Sequence, residues 1–334
     1  MKAKNLLIVF GSGFIMLLMG ELVLRILGFS PWNAAPDPIS VIPGGSVFQL
    51  DPVTGFRHKP GKFQVQIGEL TFEMTHNERS LRITSTADTV VEPEGPELWF
   101  LGGSFTHGWA VNDNETFPWL LQSRYPKLRI VNYGVGGYGT LLSLLQLERE
   151  LESGNLPDAV IVFYVFFHDQ RNVFSRERRK TITGLNHLGP LAQPKVSFNE
   201  SGQIEQIDSN TVEYEGLPGI EFSAVLNLLD DAYNSLERML LRERDVTAAL
   251  FERMAALAKR YGFELFVAGL SPDKATVEML QRVELLGIST IDMAMPFWEP
   301  EFNNMPWDSH PNTAGQEIYA QKLERELLRL GLID

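Results

Sequence analysis

The chain has 334 residues, of which 44% are hydrophobic, so it is long enough to bury a full hydrophobic core. Its formal net charge of −13 argues against nucleic acid as a partner, because the phosphates would repel an acidic surface. The absence of cysteine excludes disulfides, thiolate-bound zinc and a cysteine nucleophile.

Residues 1–29 are predicted to form a membrane anchor. A helix from Leu6 to Phe29 would be about 36 Å long, enough to cross a bilayer core of about 30 Å. The run ends without the small residues of a signal-peptidase site, and a cleaved signal peptide or an amphipathic cap helix are the alternatives. Lysines precede the run and no Lys or Arg separates Arg25 from Arg57, so the positive-inside rule predicts a single-pass protein whose main domain is extracytoplasmic, either periplasmic or extracellular.

Residues 30–95 are predicted to be a Pro- and Gly-rich linker followed by short extended segments. From residue 96 to residue 334 strand-like and helix-like segments alternate, with strands predicted at 98–101, 129–133, 159–167, 264–270 and 288–293. Such alternation predicts a parallel sheet covered by helices on both faces, with the site at the carboxyl ends of the strands. Residues 173–222 are polar and lack a strong period, so they are predicted to be an insertion.

Glycine-rich segments follow the first two predicted strands of this domain. In Gly102-Gly-Ser104-Phe-Thr106 a serine lies between a strand end and a helix start, where its hydroxyl would be exposed and its N–H would point toward an oxyanion. A helix N-cap serine would have the same pattern. The turn Gly134–Gly139 could offer another backbone N–H, although an ordinary tight turn has the same composition.

Titratable side chains gather at two further places. Residues 168–172 (HDQRN) follow directly on nine apolar residues, and Asp308-Ser-His310 precedes the last predicted helix. An imidazole there would take the serine proton, and a carboxylate would hold its tautomer. The alternatives for His310 are an ordinary helix start or a fragment of a metal site. Because no second ligand cluster accompanies it, we predict neither a metal nor a cofactor.

In this order the four segments resemble the SGNH (GDSL-like) hydrolase superfamily, over about Leu98 to Ala320. The segment Gly102–Thr106 resembles the first block, Gly-Asp-Ser, with glycine in place of aspartate. Asn132–Thr140 resembles the second block and His310–Gly315 the last. The N-terminal anchor and the stretch from Asp51 to Gly61 also resemble membrane-anchored bacterial members.

The resemblance implies a three-layer α/β/α sandwich with a mainly parallel, flavodoxin-like sheet, preceded by one transmembrane helix. It also implies that Ser104 is the nucleophile, His310 its base and Asp308 the carboxylate of a triad. The family's aspartate would fall on Trp307, one position earlier, so a Ser–His dyad is the alternative. Gly137 would donate its N–H to the oxyanion.

The resemblance leaves the third oxyanion donor open. The family's third block supplies an asparagine amide at the position of His168. Either His168 itself, through a ring N–H, or Asn172 is therefore predicted to be the third donor.

These segments predict a serine esterase or O-acyltransferase that acts on acylated carbohydrate or other small acyl esters through an acyl-serine. One alternative is a lipid or thioester hydrolase at the bilayer, although residues 173–222 have little apolar character for an acyl-chain lid. The other is a non-catalytic carbohydrate-binding or scaffold protein, against which the presence of both Ser104 and His310 argues.

Overall fold

The computed structural model describes residues 3–33, 39–86, 95–183, 193–209 and 214–333, without the side chains of residues 3–14. The described strands are β1 (Ile39–Ile42), β2 (Phe48–Asp51), β3 (Gly55–His58), β4 (Gly61–Ile67), β5 (Leu70–His76), β6 (Glu97–Leu101), β7 (Arg129–Asn132), β8 (Ala159–Tyr164), β9 (Gln193–Phe198), β10 (Ile204–Ser209), β11 (Glu264–Gly269), β12 (Ser289–Asp292), β13 (Asn303–Asn304) and β14 (Asp308–Pro311). The described helices are α1 (Ala3–Ile26), α2 (Ser104–His107), α3 (Phe117–Arg124), α4 (Thr140–Glu152), α5 (His168–Asn172), α6 (Arg176–Thr183), α7 (Ala224–Leu240), α8 (Glu243–Tyr261), α9 (Lys274–Leu285) and α10 (Thr313–Leu330).

The chain divides into two compact units. The first comprises Met1–Asp37, Ser175–Asn186 and Val212–Leu241, and its described elements are α1, α6 and α7. The second comprises Pro38–Phe174, His187–Thr211 and Arg242–Asp334, and it holds every residue that the sequence assigns to the site. Within the predicted insertion at 173–222, the described residues form α6 and the antiparallel pair β9–β10.

The predicted membrane anchor is a helix, α1, over most of its length. Among the residues that the structure describes, no helix combines the length and the hydropathy needed to cross a bilayer. The side chains of residues 3–14, on which the prediction also depends, lie outside the described part.

The second unit is built on a five-stranded parallel sheet in the order β7-β6-β8-β11-β12. All six residues of β8 are buried, as expected for a strand covered on both faces. On one face Phe100 and Phe163 pack against Phe117 of α3. The next residue, Tyr164, points to the opposite face and packs against Phe251 of α8. The predicted α/β fold on a parallel sheet is confirmed.

The strand order places the site. Numbered along the chain, the sheet has the order 2-1-3-4-5, which is the flavodoxin-like arrangement. The direction of winding changes between β6 and β8, and ligands bind in such sheets at the carboxyl ends of the strands beside this point. Ser104 lies just beyond β6 and His168 just beyond β8.

Antiparallel strands precede the parallel sheet in the chain. β1, β4 and β5 form one sheet, and β2 and β3 form a hairpin. Single bridges connect His76 to Arg82 and Arg82 to Asn132 at the end of β7. The end of β5 therefore lies near the carboxyl edge of the parallel sheet, and His58 at the end of β3 stacks on His76 at the end of β5.

Candidate active site

Ser104 is the first residue of the short helix α2, which follows β6 after two glycines. A β-carbon at Gly102 would lie 2.2 Å from Thr106 Oγ1 and 3.2 Å from the carbonyl oxygen of Phe163, so a side chain does not fit there. This close approach allows the sharp change from strand to helix. Because Ser104 opens the helix, its N–H has no acceptor within the helix.

His310 connects Ser104 to a carboxylate. Its Nε2 lies 2.7 Å from Ser104 Oγ, and its Nδ1 lies 2.7 Å from Asp308 Oδ1. Asp308 Oδ1 also accepts the backbone N–H of His310 at 2.7 Å. With Nδ1 donating to the carboxylate, Nε2 has a lone pair that can receive the serine proton.

The strand β14 explains why a carboxylate two residues before the histidine reaches it. Side chains at positions i and i+2 of a strand point to the same side, and Asp308 and His310 stand in that relation. Pairing with β13 holds this segment extended. The sequence left a Ser–His dyad as the alternative, whereas the geometry joins all three side chains.

Trp109 gives Asp308 a further partner that the sequence analysis missed. Its indole Nε1–H donates to Asp308 Oδ2 at 3.0 Å. Burial raises the pKa of Asp308, but the charge and hydrogen bonds of His310, with the bond from Trp109, outweigh burial and hold that pKa below its ordinary value. Asp308 is therefore ionised at neutral pH. No motif marks Trp109, which is found only through its tertiary contact.

The second glycine-rich segment packs directly against α2. Asn132 donates its amide to the carbonyl oxygen of Thr106 at 3.1 Å and accepts the N–H of Gly134 at 2.9 Å. A β-carbon at Gly134 would lie 2.4 Å from the backbone nitrogen of His107. Gly137 has a φ of 88°, a conformation that glycine adopts without strain. The segment predicted to supply a backbone donor thus lies beside the helix that carries Ser104.

The two predicted third donors, His168 and Asn172, lie at opposite ends of α5. His168 is buried, and its Nε2 lies 3.1 Å from the position that a β-carbon on Gly103 would take. Asn172 is also buried, but its amide oxygen accepts the N–H of Leu141 at 2.8 Å and its amide nitrogen donates to Thr247 Oγ1 at 2.9 Å. His168 thus adjoins the residue before Ser104, whereas the Asn172 amide connects α4 to α8.

Asp169, next to His168, is a buried carboxyl group. Its Oδ1 accepts hydrogen bonds from Tyr164 at 2.9 Å and from Thr247 at 2.7 Å. Burial raises the pKa of Asp169 to about 7, although both hydrogen bonds act in the opposite direction. Tyr164 belongs to β8 and Thr247 to α8, so these two hydrogen bonds connect the sheet to a covering helix.

Three buried histidines that the sequence analysis did not single out lie beside α2. They are His58, His76 and His107, and one ligand nitrogen from each lies within 4.8 Å of the others. Burial, followed by neighbouring positive charge, lowers the pKa of His58 and His107 well below the ordinary value. Burial and Arg82 lower that of His76 to about 3. The imidazoles are therefore neutral at physiological pH, as metal ligation requires.

No protein-family model matches the chain, and no curated protein matches it. Among solved structures, it is similar to a lipolytic protein of the G-D-S-L family from Desulfitobacterium hafniense (11% identity, 69% of this chain and 99% of the other, TM-score 0.39). It is also similar to LAE5, an α/β hydrolase from the metagenome of Lake Arreo, Spain (15%, 72% and 97%, 0.40), and to a member of the lipolytic G-D-S-L family from Veillonella parvula (11%, 70% and 98%, 0.40). Similarities of this strength carry no information about the activity of this chain.

Proposed function

We propose that this chain is a serine ester hydrolase that forms an acyl-enzyme on Ser104. The observation that carries the proposal is the continuous hydrogen-bonded series of Ser104, His310 and Asp308, with 2.7 Å at each step. This is the arrangement by which a weakly nucleophilic hydroxyl is activated at neutral pH. It lies at the carboxyl end of β6, the region where sheets of this topology bind ligands.

The mechanism has two halves. Ser104 Oγ attacks the ester carbonyl carbon while its proton moves to His310 Nε2, and the carbonyl oxygen becomes an oxyanion. The tetrahedral intermediate collapses, the alkoxy group leaves with the proton from His310, and the acyl group remains on Ser104. Water then attacks the acyl-serine with His310 as base and releases the acid. If a sugar hydroxyl attacks instead of water, the same intermediate gives O-acyl transfer.

The oxyanion would be bound by the N–H groups of Ser104 and Gly137, with His168 as the third donor. Support for His168 over Asn172 comes from what each contacts: His168 Nε2 lies next to Gly103, whereas both amide atoms of Asn172 have partners elsewhere. Removing one such donor lowers kcat by about 100-fold or more, so each assignment can be tested by kinetics.

Acylated carbohydrate is the substrate class that we favour, because exposed indoles flank the triad. Trp307 directly precedes Asp308, is 43% exposed, and lies against the backbone of Gly68 on one side. Trp298 is 51% exposed and contacts Phe297, which packs on Phe105 beside Ser104. Exposed indoles combine a flat apolar surface with a polar N–H and suit sugar rings better than flexible acyl chains.

A fluorophosphonate probe tests the proposal, because it phosphonylates activated serines. We expect labelling of the wild-type chain, loss of labelling in Ser104→Ala and full labelling in the control Ser123→Ala, an exposed serine of α3. Turnover of p-nitrophenyl acetate should follow the same pattern. A wild-type chain that neither labels nor turns over short esters would support the non-catalytic alternative and overturn the proposal.

A further inference from the structure

We propose that His58, His76 and His107 form a binding site for a divalent transition metal ion, with Zn²⁺ as the first candidate. Each histidine is the last residue of its element, β3, β5 and α2 respectively. All three are buried, and their ligand atoms lie within 4.8 Å of one another. The proposal does not depend on the chain being a hydrolase.

The strongest observation is the state of His58. Neither of its ring nitrogens has a hydrogen-bond partner among the described residues, although the side chain is fully buried. Nδ1 of His107 is also without a partner there. Buried polar atoms are nearly always satisfied, and leaving them unpaired opposes folding. A metal ion bound to His58 would give a bonding partner to one of the two ring nitrogens that have no hydrogen bond.

The hydrogen bond of His76 fixes the tautomer that a metal ligand needs, with the proton on Nδ1. Its Nδ1 lies 3.1 Å from the carbonyl oxygen of Lys59 and donates to it, which leaves a lone pair on Nε2. Metal-bound histidines commonly hold their second nitrogen in this way. Nε2 of His76 faces Nε2 of His107 at 2.9 Å, and a metal between them would move the His107 proton to Nδ1.

The donor set selects the metal. Three imidazoles without a carboxylate or thiolate favour Zn²⁺, Cu²⁺ or Ni²⁺ over Ca²⁺ or Mg²⁺, which require oxygen ligands. At a Zn–N distance of about 2.0–2.1 Å, tetrahedral ligand nitrogens lie about 3.4 Å apart. The most distant pair would therefore close from at most 4.8 Å by side-chain rotation, and a water molecule would complete the coordination.

A buried cation, Arg82, lies beside the cluster and would repel a second cation if its charge were unpaired. Its Nε lies 3.0 Å from Asp113 Oδ1. Its remaining N–H groups point to backbone carbonyl oxygens, those of Glu73, His107, Gly108 and Val111. The carboxylate and these four dipoles offset part of the guanidinium charge, and the bonds from three imidazoles to the ion have to outweigh the repulsion that remains.

A metal at this position would join the two N-terminal hairpins to the catalytic helix. His107 ends α2, the helix that Ser104 begins, so the ion would fix the far end of the nucleophile's helix. We assign the ion a structural role, because none of its three ligands belongs to the proposed triad or to the proposed oxyanion donors. We therefore expect metal binding to be measurable in chains that have no esterase activity, Ser104→Ala included.

The test uses the full chain, purified without a polyhistidine tag, stripped with a chelator and titrated with ZnCl₂ by calorimetry. We expect about one Zn²⁺ per chain and a rise in Tm with zinc. His58→Phe, which keeps the ring and removes both nitrogens, should weaken binding by more than the roughly 10–100-fold typical of losing an outer-shell partner. The matched control His310→Ala should bind zinc like the wild type.

X-ray absorption spectroscopy at the zinc edge, on the zinc-loaded wild-type chain, gives a second measurement that needs no variant. It should show three imidazole nitrogens at about 2.0–2.1 Å. A stripped wild-type chain that binds no zinc at micromolar concentration would overturn the proposal. The proposal would also be overturned if His58→Phe left zinc binding intact while His310→Ala abolished it. A spectrum that shows fewer than two imidazole ligands would overturn it as well.

Discussion

The indole Nε1–H of Trp109 donates to Asp308 Oδ2 at 3.0 Å, on the carboxylate whose other oxygen holds His310. This bond joins the loop after α2 to the strand β14, and so the segment of the proposed nucleophile to that of its proposed base. It also stabilises the ionised form of Asp308. We therefore propose that Trp109 is a positioning residue that acts through Asp308.

Trp109→Phe tests this relationship, because it keeps an aromatic ring and removes the donor. We expect kcat for p-nitrophenyl acetate to fall by about 10- to 150-fold, in line with the loss of one hydrogen bond of about 1.5–3 kcal/mol to a charged group. The effect should vanish in an Asp308→Ala background, because that variant removes the oxygen that accepts the indole N–H. Equal losses in both backgrounds would mean that Trp109 acts by packing alone.

His168→Ala should lower kcat by about 100-fold or more and leave KM nearly unchanged, as for loss of an oxyanion donor. His168→Asn should recover part of that loss, because an amide can donate from a similar place. Steady-state kinetics of the two variants side by side check both statements. Full activity of His168→Ala would show that two backbone donors suffice.

Asn172→Ala should change stability rather than chemistry. It leaves the N–H of Leu141 and the hydroxyl of Thr247 short of a partner, at a cost of about 1–3 kcal/mol. Thermal unfolding should show the loss, and kcat of the folded protein should stay within about twofold of the wild type. If kcat instead drops about 100-fold while Tm is unchanged, Asn172 is the third donor and our assignment of His168 is wrong.

Asp169→Asn tests the buried carboxyl group through the pH dependence of stability. Burial raises the folded-state pKa of Asp169 from 3.8 to about 7, so the protonated carboxyl group stabilises the folded state. This contribution to the free energy of unfolding is fully present below about pH 4 and is lost as the pH rises through about 7. The shift corresponds to roughly 4 kcal/mol. The free energy of unfolding of the variant minus that of the wild type should therefore be more positive at pH 8.5 than at pH 5. Denaturant unfolding of both proteins at the two pH values measures this difference. A stability difference that does not change with pH would contradict the raised pKa.

Trp307→Ala tests the proposed sugar specificity. We expect KM for an acetylated oligosaccharide to rise by about 2- to 13-fold, the effect of losing one aromatic contact of about 0.5–1.5 kcal/mol. KM for p-nitrophenyl acetate, which carries no sugar ring, should not change and serves as the internal control. Equal increases for both substrates would indicate a disturbed triad instead, because Trp307 adjoins Asp308.

The sequence was most informative about candidate site residues that lie at the end of a sheet strand or at the start of a helix. Ser104 follows a short apolar strand and two glycines, and topology alone brings that strand end to a defined edge of the sheet. Asp308 and His310 are separated by one residue, so an extended segment suffices to bring their side chains together. These relations depend on short spacings, which a sequence displays directly.

Relations that depend on long-range packing could not be predicted in this way. The cluster of His58, His76 and His107 draws on three elements, and nothing near any of them marks a ligand, so the sequence analysis predicted no metal. The residues from Ala224 to Tyr261 have the sequence pattern of one continuous helix, but the structure divides them into α7 and α8, because Arg242 adopts a positive φ of 52°. Neither glycine nor proline stands at that break to signal it.

The central claim is that the acyl group of the substrate passes through Ser104, and trapping that intermediate tests it most directly. Turnover of p-nitrophenyl acetate by the wild-type chain is stopped with acid, and the peptides are analysed by mass spectrometry. We predict one acetyl group on Ser104, absent from His310→Ala, because the hydroxyl is not activated without its base. Undiminished turnover by Ser104→Ala, or an acetyl group on a different residue during turnover, would contradict the account.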